Sequence, residues 1–309
     1  MLSLFFVLLG KILPLYISIL LGFLSVRFLK VDKGVIAALL FYIIGPVVVF
    51  SATLSVEITP GVLFLPIFFY LFSSAIAFIT LYIWGKQWPD ATGNILAFAT
   101  GTGNTGYFGI VLALILFEPQ VADIFIFAML ASLFYETTTG YYVTAKGSFT
   151  GAESLQKVLR LPALYAFILA LVLNVADVKL PEVLQSYTGQ FKVVFSILGM
   201  MLLGMGFDQW KKSKGIDLKF LSISLIAKFI FWPLAILSLI LLDKSITQLL
   251  NDDLYRVMFL FAIVPLAGNT VTLAVLLKAQ PEKAAFAVLL STVISIFSIP
   301  LMLSLYELI

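Results

Sequence analysis

The 309-residue sequence contains no cysteine and no histidine. Without cysteine there is no disulfide, no thiolate nucleophile and no sulfur ligand; without histidine there is no imidazole base and the commonest transition-metal ligand is gone. A zinc or haem site is not expected, no cofactor is called for, and hydrolytic membrane chemistry lacks its parts, since paired membrane aspartates are missing too. Charge is also scarce: Asp, Glu, Lys and Arg make up 11% of the chain, against about 25% in soluble domains. The net charge of +3 does not gather on one basic face, so nucleic acid is not an expected partner. The amino terminus has no basic stretch before its apolar run, and that run outlasts a secretory signal, so it reads as a first membrane span.

What the chain does have is apolar length. Hydrophobic residues account for 62% of it, and the mean hydropathy is +1.12. Roughly 20 apolar residues cross the hydrocarbon core, and about ten such runs are present. The expectation is an all-α integral membrane protein of ten transmembrane helices, with membrane lipid as its surroundings. The spans run approximately over 4–28, 35–56, 62–84, 91–117 and 121–144, then 159–176, 187–207, 218–242, 257–277 and 284–306. Lys192 interrupts the seventh and is expected to snorkel. The polar stretch 146–157, KGSFTGAESLQK, separates a half at 1–145 from a half at 158–309 and reads as a cytoplasmic linker. With the amino terminus outside, the inner loops hold 13 of the 19 Lys and Arg and the outer side five. The positive-inside rule then puts both termini outside a multi-pass protein of the cell membrane.

Span four carries Gly101-Thr102-Gly103-Asn104-Thr105-Gly106 at its middle. Each glycine costs about 1 kcal/mol relative to alanine inside a helix, so the helix should break there, where no water can satisfy the freed backbone. The hexad also spells a dinucleotide fingerprint, but its glycines sit inside one apolar span instead of between the strand and soluble helix that reading needs. Span nine repeats Gly103-Asn104-Thr105 as Gly268-Asn269-Thr270, and Pro265 beside it removes a helix donor. Leu13-Pro14-Leu15-Tyr16 likewise has a counterpart in Leu161-Pro162-Ala163-Leu164-Tyr165. Two interrupted helices at matching places in two halves point to a transporter's binding site, and five spans per half make the repeats inverted. The candidate substrate-binding residues are Gly103, Asn104, Thr105, Pro265, Gly268, Asn269 and Thr270. The asparagine amides either touch a solute or coupling ion or only cap their own broken helices.

Two charges fall inside spans. Glu136, with Ser132, Thr139 and Gly140 on its face of span five, costs about 3 kcal/mol near mid-bilayer if ionised and unpaired. It is either a proton or cation coupling site or a buried hydrogen-bonding group, with Lys228 as one partner. Lys228, midway along span eight, is assigned to neutralising helix-end carbonyls, pairing with Glu136 or meeting an anion. Ser291, Ser295 and Ser298 read as small polar interface residues, the aromatics as lipid contacts and interfacial anchors, and Pro14, Pro46 and Pro162 as kinks or cavity walls.

The order of these elements resembles the auxin efflux carriers and their bacterial relatives, in the same broad fold group as the bile-acid/sodium symporters. The resemblance rests on 41–50 with Gly45-Pro46, on Asn104-Thr105-Gly106-Tyr107-Phe108-Gly109, on Lys228 followed by Pro233, on Pro265, Asn269 and Ala274, and on Leu290-Ser291-Thr292 with Ile299-Pro300-Leu301. It departs where relatives carry Gly-x-Pro and this chain has Gly109-Ile110-Val111, and the inter-half loop is short. It implies a scaffold of spans one, two, six and seven beside a transport domain of spans three to five and eight to ten, with broken spans four and nine crossing. It also implies small carboxylates or auxin-like acids as substrates, moved by alternating access. A homodimer through the scaffold is the expected assembly. Coupling is open between proton-linked and uniport modes; a sodium-coupled symporter of the bile-acid type is the alternative, with a channel or sensor behind it.

Overall fold

The computed structural model describes residues 2–145, 159–206 and 216–307. The linker 146–157 lies outside the described residues. Every regular element among them is helical. Eight helices are long and apolar enough to cross a membrane: α1 (Leu2–Leu29), α2 (Lys33–Ser55), α3 (Pro60–Trp84), the composite Thr92–Leu116, α6 (Pro119–Thr144), α8 (Glu182–Met205), α9 (Leu218–Thr247) and α12 (Pro281–Tyr306). The composite consists of α4 (Thr92–Gly101), a π turn at Thr105–Gly109 and α5 (Ile110–Leu116). The shorter helices are α7 (Pro162–Val175), α10 (Asp252–Ile263) and α11 (Asn269–Leu276).

Prolines shape two of the long helices in the same way. Pro46 and Pro233 each lack the N–H that would reach the carbonyl four residues back. In both cases the turn just before widens to π geometry, at Leu40–Ile44 and at Ala227–Phe231. The residue before each proline closes that turn: Gly45 donates its N–H to the Leu40 carbonyl and Trp232 to that of Ala227. Such bulges concentrate at functional sites.

The ends of the helices gather in two layers. At one end Asp217 caps α9, accepts from the Trp88 indole at 2.9 Å and pairs with Lys283 at 2.9 Å. Gln280 reaches Asp90 at 3.0 Å and Lys219 reaches Gln87 at 2.7 Å in the same layer. At the other end the Asn174 amide lies 2.8–3.0 Å from the carbonyl oxygens of Thr53, Leu54 and Val56, capping α2. The side chains of Leu250 and Leu254 abut Gly61 there.

Between the layers α1 and α8 approach to backbone contact. A Cβ on Gly22 would land on the carbonyl of Met201, and one on Gly204 on that of Ile19. Lys192, expected to snorkel, instead bonds and pairs with Asp123 of α6, the two side chains 14% and 8% exposed. A largely buried ammonium is costly unless paired, and here an acid meets it. Aromatics such as Phe28, Tyr82 and Phe297 are exposed, as a lipid-facing role requires, but others pack inward. Phe69 stacks on Phe261 at 3.8 Å between ring centroids, and the fully buried Trp232 lies beside both.

Gly204→Leu is expected to cost about 1–3 kcal/mol or more by overpacking the α1–α8 seam, whereas Gly10→Leu, with nothing within 4 Å of its Cβ position, should leave the melting temperature in detergent unchanged. A second expectation concerns Asp217. Burial raises its carboxyl, but the Phe220 N–H, the Lys283 ammonium and the Trp88 indole outweigh that and hold it below the usual carboxylate range. A lowered folded-state pKa gives stability that is present above the unfolded value of about 3.9 and lost as pH falls through the folded value. Asp217→Asn should therefore lower stability at pH 7, by about 1 kcal/mol or less for so accessible a pair, and flatten the acid limb of a melting-temperature profile below about pH 4.

Candidate functional site

The first break is narrower than the six-residue hexad. Helix α4 ends at Gly101 and only 102–104 are non-helical. Thr102 is extended at φ −139°, ψ 164°. Asn104, at φ −76°, ψ 58°, centres an inverse γ-turn in which the Thr105 N–H reaches Gly103 O at 2.8 Å. The second break covers 264–268. Pro265 restricts Val264 to extended backbone at φ −64°, ψ 151°, and the freed Leu266 N–H finds Ser291 Oγ at 3.2 Å. Ser291 is thus more than an interface filler. The two breaks touch directly, because the Asn104 N–H donates to the Pro265 carbonyl oxygen at 2.8 Å.

The glycines of the first break owe their identity to space. A Cβ on Gly101 would strike the Tyr135 hydroxyl, and one on Gly103 would strike Nζ of Lys228 and, at 2.9 Å, Val264. Gly106 has nothing within 4 Å and faces a cavity of about 100 Å³.

The two asparagines are not equivalent. Asn104 is buried, and its Oδ1 caps its own outgoing helix by accepting from the Phe108 N–H at 3.3 Å. Its Nδ2 has no partner. Asn269 is exposed to the cavity and makes no cap bond to its own helix. Its amide donates to Glu136 Oε2 at 2.6 Å, while Thr102 donates to Oε1 at 3.1 Å. One carboxylate on α6 therefore joins both breaks. Thr105 bonds Ser132 of α6 at 2.8 Å, and the Thr270 hydroxyl is buried without a partner.

Lys228, raised as a partner for Glu136, forms no ion pair or hydrogen bond with it. The ammonium is buried and without a hydrogen-bond acceptor, 4.6 Å from the centroid of the Trp232 ring. Trp232 is itself held by its indole N–H on the Thr100 carbonyl at 2.8 Å.

Of the residues singled out from sequence, Gly103, Asn104, Thr105, Gly268, Asn269 and Glu136 line the cavity; Pro265, Thr270 and Lys228 do not. Sequence reasoning missed Thr102, whose hydroxyl is masked by its glycine neighbours. It also missed the aromatic wall of Phe41, Tyr107 and Phe195, in which Tyr107 stacks on Phe195 at 5.7 Å. The signal for that wall is Gly45-Pro46, which bulges α2 where Leu40, Phe41 and Gly45 meet the cavity.

An apolar helical chain with two interrupted segments bonded to each other beside a cavity is the build of a membrane transport protein. A family model described as "Membrane transport protein" matches residues 148–303, about half of the chain. The chain belongs to that family, whose domain is that of the auxin efflux carriers. The match takes in the second break and Lys228, whereas the first break lies ahead of it. The comparison with curated proteins gave no match.

Glu136→Ala leaves Thr102 and Asn269 without their acceptor, at about 1–3 kcal/mol for the buried Thr102 hydroxyl and less for the exposed Asn269 amide. Asn269→Ala on top of it should then cost little more, a non-additivity that a double-mutant cycle of unfolding in detergent measures. Additive losses would show that the carboxylate does not hold the second break.

Proposed function

We propose that this protein is a secondary transporter that carries a small organic anion across the membrane by alternating access. The observation that carries the reading is the bond from the Asn104 N–H to the Pro265 carbonyl: two interrupted helical segments joined inside the protein, beside a cavity. Backbone irregularity at membrane depth is tolerated where it is buried or lines a cavity, and broken-helix crossings are where carriers bind their cargo. The outgoing halves begin at Thr105 and Asn269, so their positive ends lie at the cavity and favour a carboxylate without a basic side chain there. Asn104 Nδ2, buried and unpartnered, is a donor in waiting. Glu136 commits both oxygens to Thr102 and Asn269. The aromatic wall suits an apolar body on the anion.

In this reading the chain crosses the membrane ten times as two inverted five-helix repeats. The first is α1 to α6, with α4 and α5 as one broken span; the second is α7 to α12, with α10 and α11 as the other. The scaffold is α1, α2, α7 and α8, and the remaining helices form the moving domain. Two features support that division. The polar layer of Gln87, Trp88, Asp90, Asp217, Lys219, Gln280 and Lys283 ties together helices of the moving group only. The cavity has α2, α7 and α8 on one side and the breaks with α6 on the other.

Gly106→Leu should place a side chain in the cavity without disturbing the fold, since nothing lies within 4 Å of its Cβ position. In proteoliposomes loaded for counterflow, saturable uptake of small dicarboxylates or indole acids should fall at least tenfold in Gly106→Leu and in Asn269→Ala, with elution profiles unchanged. Uptake at the wild-type level in both variants would sink the crossing as the binding site.

A further inference from the structure

The cavity has one charged side chain, and its sign is opposite to what an anion needs. Of the side chains lining it only Glu136 and Tyr107 can ionise, and a tyrosine stays neutral at about pH 7. Among the described residues no basic partner faces the carboxylate. The walls from α2, α7 and the second break bring no ionisable side chain to the cavity. Tyr135, beside it on α6, is bonded to the Phe98 carbonyl, and Tyr70 of α3 to Thr139. Lys228 of α9 makes no hydrogen bond, and Lys192 of α8 is held by Asp123. The same carboxylate keeps the second asparagine occupied: Oε2 takes the Asn269 amide at 2.6 Å and Oε1 the Thr102 hydroxyl at 3.1 Å. The Asn104 amide nitrogen, from the other break, is buried and unpartnered. Both asparagines and Glu136 line one cavity of about 100 Å³. Two negative groups in so small a space, with little water to screen them, do not both stay ionised.

We propose that Glu136 exchanges charge with the cargo: binding one carboxylate anion draws one proton from solution onto Glu136, so that anion and proton occupy the carrier together. The one bond formed is O–H at Oε2. A carboxyl hydroxyl is a poorer acceptor than a carboxylate oxygen, so the Asn269 amide leaves it and turns to the cargo. The cargo's carboxylate then accepts from two amides, those of Asn104 and Asn269, one from each break. Until the proton arrives, the second of these donors is consumed by the protein's own acid. The inference rests on the transporter reading and deepens it by naming what binds with the anion.

Linkage is reciprocal: if binding takes up a proton, raising the pH weakens binding by about tenfold per pH unit wherever the empty carboxylate is ionised, and the dependence vanishes where it is already protonated. Two probes are used. Phenylacetate offers one carboxylate and an apolar ring for the aromatic wall, and succinate offers two carboxylates. Each is added to purified protein in weakly buffered detergent solution at about pH 8, well above the ordinary glutamate value of about 4.3. A pH electrode should record about one proton taken up per anion bound. Glu136→Gln, which has the shape of the protonated acid and no titrating proton, should take up none and bind with an affinity that is flat over pH. At about pH 8 it should bind at least about tenfold more tightly than wild type. A merely structural carboxylate gives the reverse, weaker binding in Glu136→Gln with the wild-type pH slope. Glu136→Asp still titrates and should restore the proton uptake. The proposal is overturned if wild type binds with no proton taken up, or if Glu136→Gln takes up the wild-type proton or binds more weakly than wild type at about pH 8. If Glu136→Gln does not fold, the wild-type proton count decides alone. If neither probe binds wild type at any pH, the anion-carrier reading fails and this inference with it, whereas binding without proton uptake overturns the inference alone.

Discussion

A backbone amide that leaves its helix inside a membrane must find a partner within the protein, because lipid offers none. The hydrogen bond from Asn104 to Pro265 answers that demand for both breaks at once. Around it the other freed groups are met one by one: Leu266 N–H by Ser291, Phe108 N–H by Asn104, Thr102 and Asn269 by Glu136. Each satisfied group narrows where the next can lie. The cavity is what remains open once these bonds are made, and several of the bonded groups form part of its wall.

The two breaks share a tripeptide and differ in backbone extent and in side chains. The matching tripeptides Gly-Asn-Thr begin both outgoing halves, yet one asparagine faces its own helix and the other faces a carboxylate from α6. Glu136 has no counterpart bridging from the second half among the described residues, and Lys228 has none in the first. The cavity therefore has two unlike ends, one a buried amide donor and one an amide already tied to an acid. Proline sets the stage for this inequality, since Pro46 bulges a cavity wall and Pro233 bulges the helix that carries the lysine.

Much of this is legible in the chain itself. Long apolar runs, the glycine cluster at 101–106 and Pro265 locate the breaks, because helix propensity and a missing donor act locally. The extents of the breaks are smaller than the glycines suggest: Gly106 returns to helix at once, and Asn269 and Thr270 open one. Side-chain destinations are not legible, since they depend on neighbours distant in sequence. Glu136 and Lys228 suggest each other as partners by charge alone, and packing separates them. Lys192 reads as a snorkelling residue until Asp123, 69 positions away, supplies its anion. The aromatic wall escapes notice for the same reason, as composition says nothing about which rings face inward.

That last ion pair has a mechanical meaning. Asp123 belongs to the group of helices proposed to move, and Lys192 to the scaffold. In a low-dielectric interior, opposite charges in contact attract strongly at short range and lose that attraction steeply once apart, unless water replaces it. A slide of α6 along α8 must therefore carry the pair together or admit water between the helices as it parts. In the proposed movement the pair acts as a detent, letting the interface rest in one register and turning a continuous slide into a step between discrete positions.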